Sequence, residues 1–210
     1  TDKTKDIIQS NIDLIDIYIS EDDDGVYDAM NKGIKLATGD VIGFLNSDDF
    51  FKSSLVLSKI NEIFEVKKAD ISYGNMHYVL RDNIKNIRRL WISGEYKKNY
   101  FEDGWVPGHP TFYAKRNLYE KHGCFDLNYK LAADYELMLR FMIKPNLNIE
   151  YISEVLVVMR LGGLTSGSIK NRYLQNLEIK KAWKNNNLKI PKLFLLFKLI
   201  KKIKQFFKCE

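Results

Sequence analysis

Residues 40–49 read Asp-Val-Ile-Gly-Phe-Leu-Asn-Ser-Asp-Asp, an apolar run that ends in two adjacent aspartates. A short apolar run of this kind is typical of a buried strand. Apolar residues recur at helical spacing before it, at positions 26, 30, 34 and 37, and Thr38-Gly39 ends that helix. A helix that leads into a buried strand is a building unit of α/β proteins. The stretch therefore predicts an α/β fold with Asp48 and Asp49 at the carboxyl end of a strand.

Outward from this stretch, the chain alternates between helix and strand patterns. Further helices are predicted near residues 3–11, 53–66, 116–122 and 134–143. Further strands are predicted near residues 14–19, 70–80, 87–91 and 109–114. This order indicates a mainly parallel sheet that is mixed in its later part and flanked by helices. Such sheets bind ligands beyond the carboxyl ends of their strands, where the two aspartates are expected.

The composition describes a folded domain with a basic tail. The 210 residues are 45% hydrophobic, and 29% are charged with both signs mixed, which excludes disordered and fibrous classes. Residues 189–210 hold seven lysines and one glutamate, which accounts for the whole net charge of +6. We therefore expect a domain over residues 1–188 and a separate tail over residues 189–210. A neutral body lacks the basic face that nucleic-acid binding needs.

The cysteines and the apolar segments predict where the protein works. Cys124 and Cys209 lie in no Cys-x-x-Cys or Cys/His spacing, so a disulfide framework and a structural zinc site are not expected. The sequence has no charged-then-apolar leader and no apolar run near the ~18 residues of a spanning helix. We expect a cytoplasmic location.

The adjacent carboxylates of Asp48 and Asp49 would repel each other without a counter-charge. A divalent cation such as Mg²⁺ or Mn²⁺ prefers oxygen ligands and removes that repulsion, and it also binds diphosphates. In the alternative interpretation, one aspartate caps the helix that begins near Ser53 and the other is solvated. The local sequence leaves both open.

A second acidic run lies at a strand-to-helix junction, from Ser20 to Gly33. Its four consecutive acids, residues 21–24, suit the positive end of a helix dipole. Asp28 and Lys32 are spaced as an i,i+4 ion pair. Local physics alone explains most of this run.

Taken together, these segments resemble the ordered signature of bacterial family 2 glycosyltransferases, which are inverting enzymes with a GT-A fold. The matching segments are Ser20-Glu-x-Asp-x-Gly-x-Tyr-Asp-Ala-Met-Asn-Lys-Gly33, Ala37-Thr-Gly-Asp40, Leu45-Asn-Ser-Asp-Asp49, Gly108-His-Pro-Thr-Phe112 and Ala132-Ala-Asp-Tyr-Glu-Leu-Met-Leu-Arg140. The resemblance implies a GT-A-like fold and transfer of a sugar from a nucleotide-diphosphate donor to an acceptor hydroxyl with inversion. Synthesis of a surface polysaccharide or of a lipid-linked glycan is the implied context.

The resemblance also implies roles for individual residues. Asp48 and Asp49 would hold the divalent cation, and Asp134 would be the general base, although its local alternative is an N-cap. The residues expected at the nucleotide-sugar donor are Asp28, Asn31, Asp48, Asp49, His109 and Arg140. A buried, hydrogen-bonded histidine and a structural salt bridge are the alternatives for His109 and Arg140.

The sequence departs from the family pattern at its start and at position 46. Thr1-Asp2 resembles the end of the family's Asp-Gly-Ser-Thr-Asp-like stretch, so the first nucleotide-binding strand, its helix and a base-binding carboxylate are expected to be missing. Asn46 stands where many relatives have the first carboxylate of a triplet. The metal set is therefore expected to depend on Asp48 and Asp49.

The tail from Ile190 predicts an amphipathic helix. Its apolar side comprises Leu193, Leu196, Phe197, Ile200, Ile203 and Phe207, and its basic side comprises Lys198, Lys201, Lys202 and Lys208. Such a helix lies in an anionic membrane interface, and each lysine near the surface contributes about 1 kcal/mol. We therefore expect a peripheral protein on the inner face of the membrane that acts on a glycan or lipid-linked acceptor. A helix packed on the domain or bound to a partner is the alternative.

Two rival functions remain at this stage. A nucleotidyltransferase also uses carboxylate-held metal on an α/β sheet, but it needs a glycine-rich basic phosphate loop that this sequence does not show. A non-catalytic membrane-docking domain could keep the same fold without turnover.

Overall fold

The computed structural model describes residues 3–162 and 168–206. Its helices are α1 (Thr4–Ser10), α2 (Val26–Leu36), α3 (Val56–Glu65), α4 (Arg116–His122), α5 (Ala133–Met142), α6 (Ile169–Asn185) and α7 (Phe194–Lys204). Its strands are β1 (Val41–Gly43), β2 (Phe50–Phe51), β3 (Ile71–Val79), β4 (Ile87–Trp91), β5 (Tyr113–Lys115) and β6 (Ile149–Arg160). Short 3₁₀ turns cover Ile12–Leu14 and His109–Thr111.

The strands form one mixed sheet in the order β1-β5-β3-β6-β2, and β4 pairs with β3 beside this path. The prediction of an α/β fold with a mixed sheet flanked by helices is confirmed. The expectation that the sheet is mainly parallel is wrong for the described strands, because only β3 and β6 pair parallel. β1 nevertheless runs in the same direction as β3, since both pair antiparallel with β5. The carboxyl ends of β1, β3 and β6 therefore point the same way.

The predicted strand at residues 14–19 does not form in the structure. Residues 15–24 form no regular structure, and Leu14 and Ile17 are 82% and 53% exposed. An apolar run becomes a strand only where a neighbour accepts its N–H groups and donates to its carbonyls. No strand of residues 3–162 and 168–206 pairs with this segment, and so it stays extended and exposed.

Two hydrophobic clusters cover the faces of the sheet. In one, α3 packs Val56, Ile60 and Phe64 against Leu156 of β6. In the other, α5 and α6 pack with β3 and the loop around Trp105. Eight of the ten residues of α5 are buried, so this helix lies inside the core and its first turn has little freedom to move.

Helix α7 packs on the domain with its lysine side inward. Phe194 is buried against Trp183, with ring centroids 5.6 Å apart, and Lys198 Nζ donates to Asn176 Oδ1 at 2.9 Å. The helix lies so close to Gly104 that a Cβ there would come within 2.5 Å of the Lys198 backbone nitrogen. The prediction that Lys198 faces a membrane is therefore wrong, because its ammonium group is held by the domain.

The apolar side of α7 is turned away from the domain. Its exposed residues include Leu193, Leu195, Leu196, Leu199, Ile200 and Ile203. The predicted contacts of Phe207 and Lys208 lie outside the described residues. Among the residues that the structure describes, none of the helices combines the length and the apolar character that crossing a membrane requires.

Candidate functional site

Asp48 and Asp49 lie at the edge of the sheet where β6 ends. They join β1 to β2, and β2 pairs at once with β6 through Phe50 and Val158. Arg160, the last residue of β6, donates from Nη1 to the main-chain oxygen of Asp48 and covers the ring of Phe50 at 4.9 Å. The pairing of β2 therefore anchors both carboxylates at the carboxyl end of β6. They follow β1 in the sequence, but β1 lies at the other end of the strand order.

The two carboxylates differ in their surroundings. Asp49 is only 7% exposed; its Oδ2 accepts a bond of 2.9 Å from Asn46 Nδ2, and its Oδ1 is buried without a hydrogen-bond partner. Burial raises the pKa of Asp49, and the charge of Asp48 adds to this, while the Asn46 bond and Arg160 oppose it. Asp48 is more open and accepts a bond of 2.8 Å from Arg81 Nη2 on the β3–β4 hairpin. Asn46, which departs from the family triplet, thus orients Asp49.

Asp134 lies in the first turn of α5. Its Oδ1 accepts a bond of 3.1 Å from the Tyr27 hydroxyl of α2 and one of 2.8 Å from the main-chain N–H of Tyr135. Burial, reinforced by the charge of Asp134, raises the pKa of Tyr27, so the phenol keeps its proton and donates it. The N-cap of α5 is Ala132, and Asp134 is therefore not the N-cap.

Tyr78 connects the acidic pair with Asp134. Burial raises the pKa of Tyr78; the charges of Asp49 and Asp134 add to this, and that of Arg89 opposes it. Both Asp49 and Asp134 are therefore near enough to Tyr78 for their charges to act on its hydroxyl.

His109 lies close to the same space, in the 3₁₀ turn before β5. Its ring stacks on Phe44 at 6.1 Å and meets Phe125 edge-on at 6.0 Å. Burial lowers the pKa of His109, although the charge of Asp134 opposes the shift. The half-buried imidazole is therefore neutral and packs among aromatic rings, and a contact between His109 and a donor stays a prediction.

Among the described contacts, none joins Asp28 or Asn31 to the carboxylates of Asp48, Asp49 or Asp134. Asp28 forms the expected pair with Lys32 at 3.4 Å and accepts the N–H of Asp24 at 3.2 Å, and these bonds lower its pKa. Asn31 is buried, and both ends of its amide bond the main chain of Phe125 at 2.9 Å. Both residues shape the segment around α2, and their roles in donor binding stay predictions.

The Arg140 side chain joins α4 to α5 through hydrogen bonds. Its Nε bonds Glu136 Oε1 at 2.9 Å and its Nη2 bonds Glu136 Oε2 at 3.0 Å. The same guanidinium donates to the main-chain oxygens of residues 122, 123 and 124, which ties the end of α4 to α5. The salt-bridge alternative describes this geometry, and a contact between Arg140 and the donor stays a prediction.

Sequence reasoning missed Tyr27, Tyr78 and Arg89. Tyr27 is part of the quoted motif from Ser20 to Gly33, which was the available signal for it. Tyr78 and Arg89 reach the site only through the pairing of β3 with β4, where they lie opposite each other. No local pattern indicates that pairing register.

Among residues 3–162 and 168–206, no group of three or more His, Cys, Asp or Glu side chains is arranged to hold a metal ion. The buried, unpartnered Oδ1 of Asp49 is nevertheless the kind of atom that a cation would satisfy. Asp48 and Asp49 are the residues that would hold a divalent cation at this position.

Comparison with known proteins identifies the family. The model described as Glycosyl transferase family 2 matches residues 1–126, more than half of the chain. The chain belongs to this family. It is 29% identical over 188 residues to the PGL/p-HBAD biosynthesis glycosyltransferase of Mycobacterium bovis (strain BCG / Pasteur 1173P2), covering 84% of this chain and 68% of the relative. It is 34% identical over 129 residues to the uncharacterized glycosyltransferase MT1564 of Mycobacterium tuberculosis (strain CDC 1551 / Oshkosh), covering 58% of this chain and 45% of the relative.

Solved structures support the GT-A-like fold of this family 2 member. The crystal structure of S. aureus TarS 1-349 in complex with UDP-GlcNAc superposes with a TM-score of 0.67 at 16% identity, covering 100% of this chain and 64% of that one. The complex of TarS 1-349 with UDP gives a TM-score of 0.61 at 15% identity, covering 94% and 56%. The chain thus spans under two thirds of the length of these solved structures.

Proposed function

We propose that this family 2 protein transfers a sugar from a nucleotide-diphosphate donor to an acceptor hydroxyl, with inversion at the anomeric carbon. The proposal is supported by the environments of two carboxylates: Asp49 has a buried Oδ1 without a hydrogen-bond partner, and Asp134 is held through Oδ1 by the Tyr27 hydroxyl and the Tyr135 N–H. A direct displacement needs a group that stabilises the departing diphosphate and a base that activates the acceptor. The two carboxylates suit these two tasks.

Asp134 is the proposed general base. A carboxylate accepts the proton of the acceptor hydroxyl as that oxygen attacks. Tyr27 and the N–H of Tyr135 both bond Oδ1, which fixes the carboxylate and leaves Oδ2 without a described bond to take the proton. Because α5 is held in the core, it keeps the Asp134 carboxylate in a fixed position for this role.

Asp48 and Asp49 are the proposed ligands of a Mg²⁺ or Mn²⁺ ion that binds with the donor. When bound, such an ion neutralises charge on a departing diphosphate. Asp49 supplies the unpartnered Oδ1, and Asp48 supplies a carboxylate that Arg81 neutralises in this structure. Arg81 is 64% exposed, so its side chain can leave Asp48 at low cost.

The donor class is supported by the solved relatives, and the acceptor class by a curated one. TarS is seen with UDP and with UDP-GlcNAc, and the mycobacterial relative is named for biosynthesis of PGL/p-HBAD. We infer a nucleotide sugar as donor and a glycan or lipid-linked molecule as acceptor. A surface polysaccharide or a lipid-linked glycan is the product in this proposal.

Substitution of the base tests this function in the full-length protein. Asp134→Asn keeps the shape of the side chain and removes its basicity, so transfer should fall by about 10²–10⁴-fold. Binding of the nucleotide sugar with Mn²⁺, measured by thermal shift, should be nearly unchanged. The matched control is Asp103→Asn, an exposed residue that should leave both readouts intact. Transfer that survives in Asp134→Asn overturns the base assignment, and transfer absent from the wild type indicates a non-catalytic domain.

We also propose a peripheral location on the inner face of a membrane, reached through the outward side of α7. Leu193, Leu196, Leu199 and Ile203 are between 47% and 55% exposed on this helix. An exposed apolar surface of this kind along one side of a helix is typical of interfacial binding.

Flotation with liposomes that contain anionic lipid tests this location. Leu196→Glu/Leu199→Glu should lose binding, while Leu57→Glu on α3, which is 57% exposed, should retain it. Equal flotation of the two variants contradicts membrane contact through α7.

A further inference from the structure

Arg81 follows the carboxyl end of β3, at the edge of the sheet that holds the Asp48–Asp49 loop. β3 and β6 are parallel neighbours, and the N–H of Leu161, just after β6, donates to Val79 O at 2.9 Å. The two strands therefore end side by side. The carboxyl ends of parallel strands are where α/β sheets bind ligands, so Arg81 lies in a position suited to contact one.

Two arginines from these strand ends hold Asp48 in different ways. Arg160 Nη1 donates to the main-chain oxygen of Asp48, and its guanidinium also covers the Phe50 ring. Arg81 Nη2 instead bonds the Asp48 carboxylate, at Oδ2 and 2.8 Å. Arg160 thus supports the backbone of the loop, whereas Arg81 occupies a carboxylate oxygen that a cation would need.

The Arg81–Asp48 pair is built to separate. Over residues 3–162 and 168–206, the bond to Asp48 is the one hydrogen bond of the Arg81 guanidinium, and the side chain is largely exposed. An exposed pair of this kind contributes little stability, because water solvates both partners well. A ligand that competes for Asp48 can therefore displace Arg81 without disturbing the fold.

The charges around the loop indicate where a displaced guanidinium would go. In the structure, the charges of Arg81 and Arg160 offset those of Asp48 and Asp49. A divalent cation on the two carboxylates would leave this group with an excess of positive charge. A diphosphate is an anion that removes the excess. Arginine suits both partners, since its planar guanidinium bonds carboxylates and phosphates through the same paired donors.

We propose that Arg81 and a divalent cation compete for Asp48, and that the displaced Arg81 guanidinium binds the diphosphate of the donor. This inference rests on the proposed function for the presence of the cation and the donor. Arg81 opposes binding of the cation alone, and it strengthens binding of the nucleotide once the cation is in place. It is therefore a donor-binding residue that makes the binding of metal and nucleotide depend on each other.

This dependence distinguishes the exchange from a structural ion pair. By linkage, the factor by which the metal strengthens nucleotide binding equals the factor by which the nucleotide strengthens metal binding. Loss of Arg81 should lower this shared factor, because the metal alone no longer meets a competitor and the nucleotide loses a contact. The affinities for metal alone and for nucleotide with metal should therefore change in opposite directions. Loss of a merely structural pair would not separate them in this way.

Isothermal titration of the full-length protein measures the coupling without turnover. UDP, GDP and dTDP are first titrated with Mn²⁺ present, and the one that the wild type binds most tightly becomes the probe. In Arg81→Gln, Mn²⁺ alone should bind at least as tightly as in the wild type, by a factor of up to about five. The probe in saturating Mn²⁺ should bind at least about tenfold more weakly, since a charge-assisted hydrogen bond is lost.

Arg88→Gln is the matched control, because it removes an exposed arginine of β4 and leaves the Arg81–Asp48 pair in place. It should match the wild type in both titrations. A smaller loss of probe binding in Arg81→Gln, or weaker binding of Mn²⁺ alone, overturns the exchange, while Mn²⁺-dependent binding by the wild type still supports the metal site. A wild type that binds none of the three nucleotides in a Mn²⁺-dependent way contradicts the metal site of the proposed function, and the exchange with it.

Discussion

The protein has an acidic side and a cationic side, which differ in construction. The acidic side comprises Asp48, Asp49 and Asp134, and the cationic side comprises Arg89, Lys198 and Lys202. Asp49 is held by a local contact with Asn46, whereas Asp48 is held by Arg160 and Arg81. Asp134 is held by a buried helix. The cationic side joins β4 to α7, more than a hundred residues apart along the chain, where Leu90 N–H donates to Gln205 O at 3.1 Å. Each side concentrates charge that the protein alone does not fully neutralise. The acidic side therefore favours a positively charged ligand, and the cationic side favours a negatively charged one.

The largest expected effect comes from Asp49→Asn, which removes the charge of the acidic side. Metal stabilisation of a leaving group is worth several kcal/mol, so transfer should fall by about a thousandfold and lose its response to Mn²⁺. Asp48→Asn should cost less, because Arg81 already neutralises Asp48 in this structure. Initial rates over a Mn²⁺ titration measure the loss of transfer in each variant. Equal losses would contradict the different roles of Asp48 and Asp49.

Asp49→Asn should also be more stable than the wild type when metal is absent. Burial raises the pKa of Asp49, so the native protein favours the protonated carboxyl. The protonated Asp49 carboxyl stabilises the native state at low pH, and this stabilisation is lost as pH rises through the raised pKa. Thermal unfolding in EDTA should therefore show a gain for Asp49→Asn near neutral pH that shrinks on acidification. A lower stability of Asp49→Asn near neutral pH would contradict the claim that the buried Asp49 carboxylate destabilises the metal-free protein.

The next effect tests the rigidity of the acidic side. Arg140→Gln leaves the buried Glu136 without its charged partner and frees the carbonyls of residues 122–124. The free energy of unfolding should fall by about 3 kcal/mol, as measured in urea. Arg116→Gln, which breaks an exposed pair with Glu120, should cost under about 1 kcal/mol. A small effect of Arg140→Gln would show that α5 is held by packing alone.

A smaller effect should follow from loss of the Tyr27 hydroxyl. Tyr27→Phe removes one of the two bonds that hold Asp134 Oδ1. A lost hydrogen bond to a charged group amounts to about 1.5 kcal/mol, so kcat should fall by about tenfold with little change in the donor KM. Tyr173→Phe, at an exposed position on α6, is the control. A change confined to the donor KM would assign Tyr27 to the donor rather than to the base.

The smallest effect in the absence of a nucleotide is expected at Arg81. Arg81→Gln removes an exposed ion pair and should change stability by about 0.5 kcal/mol. The affinity for Mn²⁺ should rise slightly, because the guanidinium no longer competes for Asp48. Arg88→Gln on the neighbouring strand keeps that pair and serves as the control. Weaker Mn²⁺ binding in Arg81→Gln would indicate that Arg81 assists the metal site instead.

The Asp48–Asp49 part of the acidic side was predictable because the two residues are contiguous in the sequence and follow an apolar run. The α/β fold was predictable from periodicity, and the motif indicated Asp48 and Asp49, but their place at the end of β6 depends on the pairing of β2. The strand expected at residues 14–19 was wrong because an apolar run does not reveal whether a pairing partner exists. Pairing is a tertiary property, and it decides the sheet direction as well.

The cationic side was not predictable for the same reason. The helical wheel of α7 separates lysines from apolar residues correctly, but it does not say which side meets the domain. In the structure the lysine side does, because Phe194 and Lys198 share a stripe that fits the surface next to Asn176 and Gly104. Arg140 and Asn31 likewise matched a family motif, and their bonds within the fold appear only in three dimensions.

A crystal structure of the full-length protein with Mn²⁺ and a nucleotide sugar that stabilises it tests the central claim most directly. The account predicts Mn²⁺ on Asp49 Oδ1 at about 2.0–2.2 Å, the range of metal–carboxylate bonds. It also predicts the Asp134 carboxylate opposite the diphosphate across the anomeric carbon, as inversion requires. A metal bound away from Asp49, or Asp134 on the leaving-group side of the sugar, would contradict the account.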